Sequence, residues 1–523
     1  MDNKETQSIA ASAGKVSGAT AFSRVMGLIR EQVMAYFFGA GMATDAFVAA
    51  FRIPNLLRDL FAEGALSSAF VPVFKDKMVT SGNKEAFRLA NLTISSLLLV
   101  VGLVIALGII FTPAIIYISA NGFTSDPGKF NLTVILTRLM FVYLLLVSVS
   151  AAFMGILNSF GRFGVPAMSP ALFNLGMILA PIFLYSYFSV PIYTLAIGVI
   201  VGGIGQLVFQ IPSLLRIGFK FRFLIDFADE GVRRMGRLIS PMILGLSASR
   251  INILVNTLLA SLLIEGAISY LNYAYRLMHF PLGVFGVALG TVTLPKVSDD
   301  VARKDSRQLV RTFHEAIGLA FFLIIPSAVY LAGFGEELIR LIYQRGAFGP
   351  EATVQTTRAL YLYSFGLVGF AGVRIVAPVY YALSDAKRPM YYSVTAVAIN
   401  IALNFAFIPV WGFAGLAAAT SVAGLSNLLL LVINLKGKVV GVDYSHIIDK
   451  VFKVLLCSLA AMLAVKLIGL EALIAPVNLM GKIAIVGLQI AIMGIIYILL
   501  ARLLKVNEVT KLMELLGRRQ RNR

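Results

Sequence analysis

The chain has 523 residues, 59% of them hydrophobic and 14% charged, with a formal net charge of +19 and a single cysteine. Soluble domains run near 45–50% apolar and about 25% charged, so a mean hydropathy of +0.86 excludes a soluble protein and implies a polytopic membrane protein. The lone Cys457 excludes an internal disulfide framework or a thiolate metal cluster, and is expected to be a small apolar residue in a membrane helix. The first apolar run is interrupted by Arg24 and lacks a small-residue cleavage site, so it reads as a retained span rather than a cleaved signal.

Runs of about 20 apolar residues mark spanning helices. In chain order they fall near 18–40, 44–72, 89–119, 133–157, 165–187, 190–215, 238–263, 267–295, 312–334, 356–383, 389–411, 413–435, 449–469 and 477–504, which makes fourteen. With the N-terminus inside, the cytoplasmic loops at 75–88, 158–164, 216–237, 296–311, 384–388 and 436–453 hold 22 Lys and Arg. The opposite loops hold three, Lys129, Arg340 and Arg345. That bias sets the orientation, with both termini cytoplasmic, and it gives the basic excess a topological cause. Nucleic acid would need a basic patch on a soluble domain, and none is present. The basic loops are also expected to attract anionic membrane lipids, and residues 224–239 read as a short amphipathic helix on that surface.

The stretch from Ser23 to Pro72 is apolar enough for a bilayer, yet it carries Arg24, Arg30, Glu31, Asp45, Arg52, Arg58, Asp59 and Glu63. A charge at the centre of a membrane helix costs roughly 2.5–3.5 kcal/mol, so these groups must line a hydrated cavity or hold an anionic partner. Asp45, Arg52 and Asp59 lie seven apart and drift only about 20° per step, forming one polar stripe. Intramembrane ion pairs with Asp45 and Asp59 are the alternative for Arg52 and Arg58.

The same features return about 220 residues later. Ser23-Arg24 recurs as Ser249-Arg250, and AFRIP (50–54) as AYRLMHFP (274–281), with arginine spacings of 28 and 26. LAIGVIVGGIGQL (195–207) lies over LAAATSVAGLSNL (416–428). The expected architecture is therefore all-α, with two six-helix lobes related by a parallel repeat around a central cavity, as in transporters that rock two halves in turn. The expected boundaries are 1–222 for the N-lobe, 223–440 for the C-lobe and 441–523 for two extra helices and a basic tail. The second copy supplies Arg250 and Arg276 beside Tyr275 and His279, and Arg374 interrupts the tenth span. Arginine recognises phosphate through two parallel hydrogen bonds and a permanent charge, so the cavity implies an anionic, phosphate-bearing substrate.

The strings SRVMGLIRE, AGMATDAF and FRIPNLLRDLFAEGALSSAFVPVF, all between Ser23 and Phe74, resemble the opening of the MurJ (MviN) lipid II flippases. These belong to the multidrug/oligosaccharidyl-lipid/polysaccharide exporter superfamily. The resemblance implies outward flipping of lipid II, an undecaprenyl-diphosphate-linked peptidoglycan precursor, across the bacterial inner membrane by alternating access. It matches the family's essential arginines to Arg24, Arg30, Arg58 and Arg276, its serine to Ser23, and its acids to Glu31, Asp45 and Glu63. The last two helices would then form a groove for the lipid tail. Candidate substrate-binding residues are Ser23, Arg24, Arg30, Arg52, Arg58 and Arg276; candidate coupling or gating residues are Glu31, Asp45, Asp59, Glu63, Arg250 and Arg374. Some relatives carry acids where Tyr275 and His279 stand, which leaves the coupling ion open.

No cofactor is implied; coupling to the membrane potential or to a monovalent cation is expected, with lipid II, membrane lipids and cell-wall synthesis proteins as partners. The alternatives are a flippase for another polyprenyl-linked oligosaccharide, or a cation-coupled drug exporter, which would want an acidic rather than an arginine-rich cavity. A membrane-embedded transferase would need a base or metal-binding acids, yet His279, His314 and His446 are scattered. The segment GFTSDPGK (122–129) lacks the spacing of a phosphate loop. No enzyme is expected.

Overall fold

An apolar chain with no water around it must satisfy its backbone internally, and helices do so along a single segment. The computed structural model describes residues 3–59, 65–439, 441–470 and 478–509, and is helical with no strand among them. Two compact units emerge, Met1–Ser269 with Arg345–Phe348, and Tyr270–Gln344 with Gly349–Arg523.

The first unit holds α1 (Asn3–Phe38), α2 (Met42–Arg58), α3 (Ala65–Ser119), α4 (Pro127–Ser159), α5 (Gly164–Leu184), α6 (Tyr193–Val208), α7 (Ile211–Arg216) and α8 (Glu230–Ser261). Gly39 ends α1 in the left-handed region at φ +61°, a conformation open to glycine without steric cost. Asp126 starts α4 by accepting the N–H groups of Gly128 and Lys129, with Pro127 at the first helical position. GFTSDPGK is therefore a helix start. On α5 a side chain at Gly176 would collide with the backbone of Gly202 on α6, so small residues let these two helices touch.

Two expectations fail here. The loop placed at 75–88 is helical on both sides of one break, Gly82 at φ +81°; its Lys, Arg and Glu residues are good helix formers, so charge alone did not mark a loop. The helix expected over 224–239 begins only at Glu230, where Asp229 accepts the N–H groups of Gly231 and Val232. Residues 219–226 have no regular structure.

The second unit takes in most of α9 (Ala267–Pro281), a wider π-helical turn at Leu282–Gly286, and α10 (Val287–Ala302), α11 (Ser306–Ile342), α12 (Pro350–Ala382), α13 (Lys387–Trp411) and α14 (Phe413–Leu435). The pair α15 (Tyr444–Ile468) and α16 (Leu479–Leu503) packs on α11. Cys457, Ala461, Met493 and Tyr497 are buried in that contact, and the Tyr497 hydroxyl donates to the Phe322 carbonyl at 2.8 Å. Cys457 is thus a small core residue of a membrane helix.

The repeat read from the sequence is visible as a repeated order of packing. In the first unit α3 packs on α4, α4 on α6 and α5 on α6; in the second α11 packs on α12, α12 on α14 and α13 on α14. Helix α8, the first of the second copy by sequence, packs on α3 within the first unit. Ten helices among the described residues are long and apolar enough to cross a membrane, against the fourteen expected. Helix α2 has 17 residues, short of the roughly 20 that a span needs, whereas α9 runs on through the π-helical turn into α10.

Candidate functional site

The charged stripe predicted on α2 exists, and α8 runs antiparallel along it. Asp45 receives the N–H groups of Gly266 and Ser269 at 2.8 and 2.9 Å and the Ser269 hydroxyl at 2.7 Å. One turn-pair further on, Arg52 donates to the Thr257 hydroxyl, and to the Ile253 carbonyl at 3.5 Å. At the far end Asp59 accepts from Arg58 at 3.0 Å on one oxygen and from Arg250 at 2.8 Å on the other. The seven-residue period of the first sequence copy therefore finds partners in the second, on α8 for Arg52 and Asp59 and at the start of α9 for Asp45.

These three positions differ in chemistry. Asp45 is 1% exposed and paired with the Lys129 ammonium at 3.0 Å; the same ammonium lies 4.3 Å from the centre of the Phe123 ring. Lys129, placed by sequence in an outer loop, is a buried partner, and only its isolation as the sole cation of that loop hinted at a role. Arg52 is half-buried against a neutral hydroxyl and a carbonyl. Arg58, Asp59 and Arg250 together carry two cations on one carboxylate.

On α1, Arg30 donates to Glu31 at 2.5 Å and to the Asn174 side-chain oxygen at 3.0 Å. The Asn174 amide donates in turn to the Ser23 carbonyl at 3.1 Å. Asn174 on α5 thus ties together both ends of the Ser23–Arg30 segment and holds one guanidinium nitrogen while Glu31 holds the other. Sequence reading missed it; the one signal was a carboxamide inside an otherwise apolar fifth run. Arg24 is exposed, as are Arg276 on α9 and Arg374 on α12. A side chain at Gly290 would press on the Arg374 carbonyl, so the glycine at this one position of α10 lets the α12 backbone at Arg374 come close. Glu63 lies outside the described residues. Among the described residues no group of His, Cys, Asp and Glu could hold a metal ion.

A helical membrane protein whose helices pack in a repeated order, with ten of them apolar enough to cross a bilayer among the described residues, has the build of a solute or lipid exporter. Its fold resembles that of an inward-facing multidrug resistance transporter of the MATE family, with a TM-score of 0.69 over 80% of this chain and 95% of that one, at 12% identity. The lipid II flippase MurJ family model matches residues 34–486, and the chain belongs to that family. It is 36% identical over 425 residues to the lipid II flippase MurJ of Burkholderia cenocepacia, covering 80% of this chain and 82% of that protein. It is 37% identical over 423 residues to a probable lipid II flippase MurJ of Vibrio cholerae, covering 80% and 81%. A solved lipid II flippase MurJ in an inward closed conformation superposes with a TM-score of 0.79, over 94% of this chain and 99% of that one at 27% identity.

Proposed function

We propose that this protein flips lipid II from the inner to the outer leaflet of the bacterial cytoplasmic membrane for peptidoglycan synthesis, by alternating access, with both termini in the cytoplasm. What supports the reading is the flippase family to which the chain belongs, together with guanidinium groups on α1 (Arg24, Arg30), α2 (Arg52) and α9 (Arg276). Arg24, Arg30 and Arg276 take the diphosphate; Ser23, Arg52 and Arg58 complete its surroundings. Asp59, Arg250, Glu31, Glu63 and Arg374 set the balance of charge through which the cycle is gated, while residues 441–523 hold the lipid tail. Depletion of the protein in its host, followed by an assay of which leaflet holds lipid II, tests this: accumulation on the inner side, reversed by re-expression, is expected. Unchanged sidedness rejects it.

Membrane potential supplies the drive in this reading. An inside-negative voltage moves anions outward with about 2.3 kcal/mol per charge per 100 mV, and a diphosphate carries two such charges. Outward flipping in vesicles is therefore expected to speed up when valinomycin imposes an inside-negative potential. A rate indifferent to voltage removes this energy source.

Asn174 positions Arg30. Asn174→Leu removes one acceptor from a guanidinium and one donor from the Ser23 carbonyl, worth about 1.5 kcal/mol or roughly tenfold in rate. The flipping rate of the reconstituted variant, at matched protein in the vesicle, measures this; wild-type flipping excludes the positioning role.

A further inference from the structure

Between α7 and α8 the backbone forms a strap that is pinned but uncovered. The Asn91 side chain accepts the Arg222 N–H at 3.0 Å and donates to the Lys220 carbonyl at 3.3 Å. The Ser95 hydroxyl accepts the Leu224 N–H at 3.0 Å. Both α3 residues are buried, and Phe219 is buried edge-on against Phe87 and Phe153. The strap is thus fixed by buried polar groups, as a designed surface is, rather than left as a loose linker.

What it presents is unusual for a loop. Phe221, Phe223, Ile225 and Phe227 are 46–56% exposed, and the exposed Lys220 and Arg222 stand among them. Arg216 before the strap and Arg233 and Arg237 after it are exposed as well. Two of the acids nearby are turned to local backbone, Asp226 to the Ala228 N–H and Asp229 to those at the start of α8, while Glu230 is exposed at the head of α8. Arg234 is spent on Asp76 at 2.8 Å.

Two physical requirements select the surroundings. Large apolar side chains gain about 1.5–3 kcal/mol each when removed from water, so three phenylalanines and an isoleucine held outward disfavour an aqueous setting. Hydrocarbon is excluded too, because a non-helical backbone open to lipid would leave polar groups unsatisfied. Only the interface meets both conditions, with aromatic rings at headgroup level and Lys or Arg beside the phosphates. We propose that residues 217–229 are a docking site for anionic phospholipid headgroups in the leaflet that the basic loops face, with Phe221, Phe223 and Phe227 seated at the acyl boundary and Lys220 and Arg222 on the phosphates. The proposal uses none of the candidate substrate arginines and does not depend on the flippase reading.

The chain has one tryptophan, Trp411, so Phe223→Trp with Trp411→Phe places a single reporter in the strap. The protein is reconstituted in nanodiscs carrying brominated phosphatidylglycerol or brominated phosphatidylcholine at equal mole fraction. Fluorescence is expected to be quenched by both and more strongly by the anionic lipid. Adding Lys220→Gln and Arg222→Gln should erase the difference, since each basic side chain enriches anionic lipid about fivefold near the surface. An unchanged melting midpoint confirms that those exposed changes spare the fold. Absence of quenching by either lipid places the strap in water, and equal quenching by both removes the anionic selectivity; each result overturns the proposal.

Discussion

Arg276→Ala is expected to abolish lipid II flipping while the protein still inserts and folds. Arg276 is exposed on α9, between Ala274, which is fully buried, and Leu277, which is 4% exposed; truncating it leaves the buried apolar side chains on either side of it in place. A guanidinium offers a phosphate two parallel charge-assisted hydrogen bonds and cannot discharge. At about 1.5–3 kcal/mol for each such bond, their joint loss lowers transport on the order of a hundredfold or more. Arg276→Lys keeps the charge and loses the fork, so its expected rate lies between the two. The assay is leaflet sidedness of lipid II in reconstituted vesicles, alongside the amount inserted and the melting midpoint. Flipping at the wild-type rate by the alanine variant would remove Arg276 from the substrate path.

Period and residue type made the charged stripe legible before any coordinates. Asp45, Arg52 and Asp59 share a face because seven residues nearly close two turns, and the face is polar in the structure as well. What the pattern could not disclose was the other half of each contact. Lys129, Thr257 and Asn174 lie 84, 205 and 144 residues away from their partners, and no local periodicity records a pairing over such distances. On that face Arg52 and Asp59 meet α8 and Asp45 meets the start of α9; a charge pattern fixes which residues face one way but not what they meet. The helix expected over 224–239 failed for a different reason. Alternating Phe and basic residues from 219 to 223 suit any amphipathic surface, and it is two side chains of α3, Asn91 and Ser95, that hold the backbone out of the helix.

Asp45→Ala is expected to act on stability rather than on the transport step, although the family resemblance places Asp45 among the coupling acids. Glycine precedes both α2 and α9, Gly41 at one and Gly266 at the other, so neither start has a side chain of its own to receive the first N–H groups. The missing caps are exchanged. Glu265 accepts the Met42 N–H at 2.8 Å, and Asp45 accepts those of Gly266 and Ser269. Asp45 also neutralises Lys129, with side-chain exposures of 2% and 11%. Removing one partner of a buried pair leaves the other charge uncompensated, at about 3–5 kcal/mol, with the lost caps adding about 1 kcal/mol. The variant should therefore melt earlier in detergent and accumulate poorly in the membrane, while flipping per folded molecule stays within about twofold of wild type. Lys129→Met introduced beside Asp45→Ala removes the orphaned ammonium and should recover the larger part of the loss, because the carboxylate and the ammonium are directly coupled. A variant that melts like the wild type but no longer flips lipid II would instead make Asp45 a moving part of the cycle, and the exchange of caps a by-product of its position.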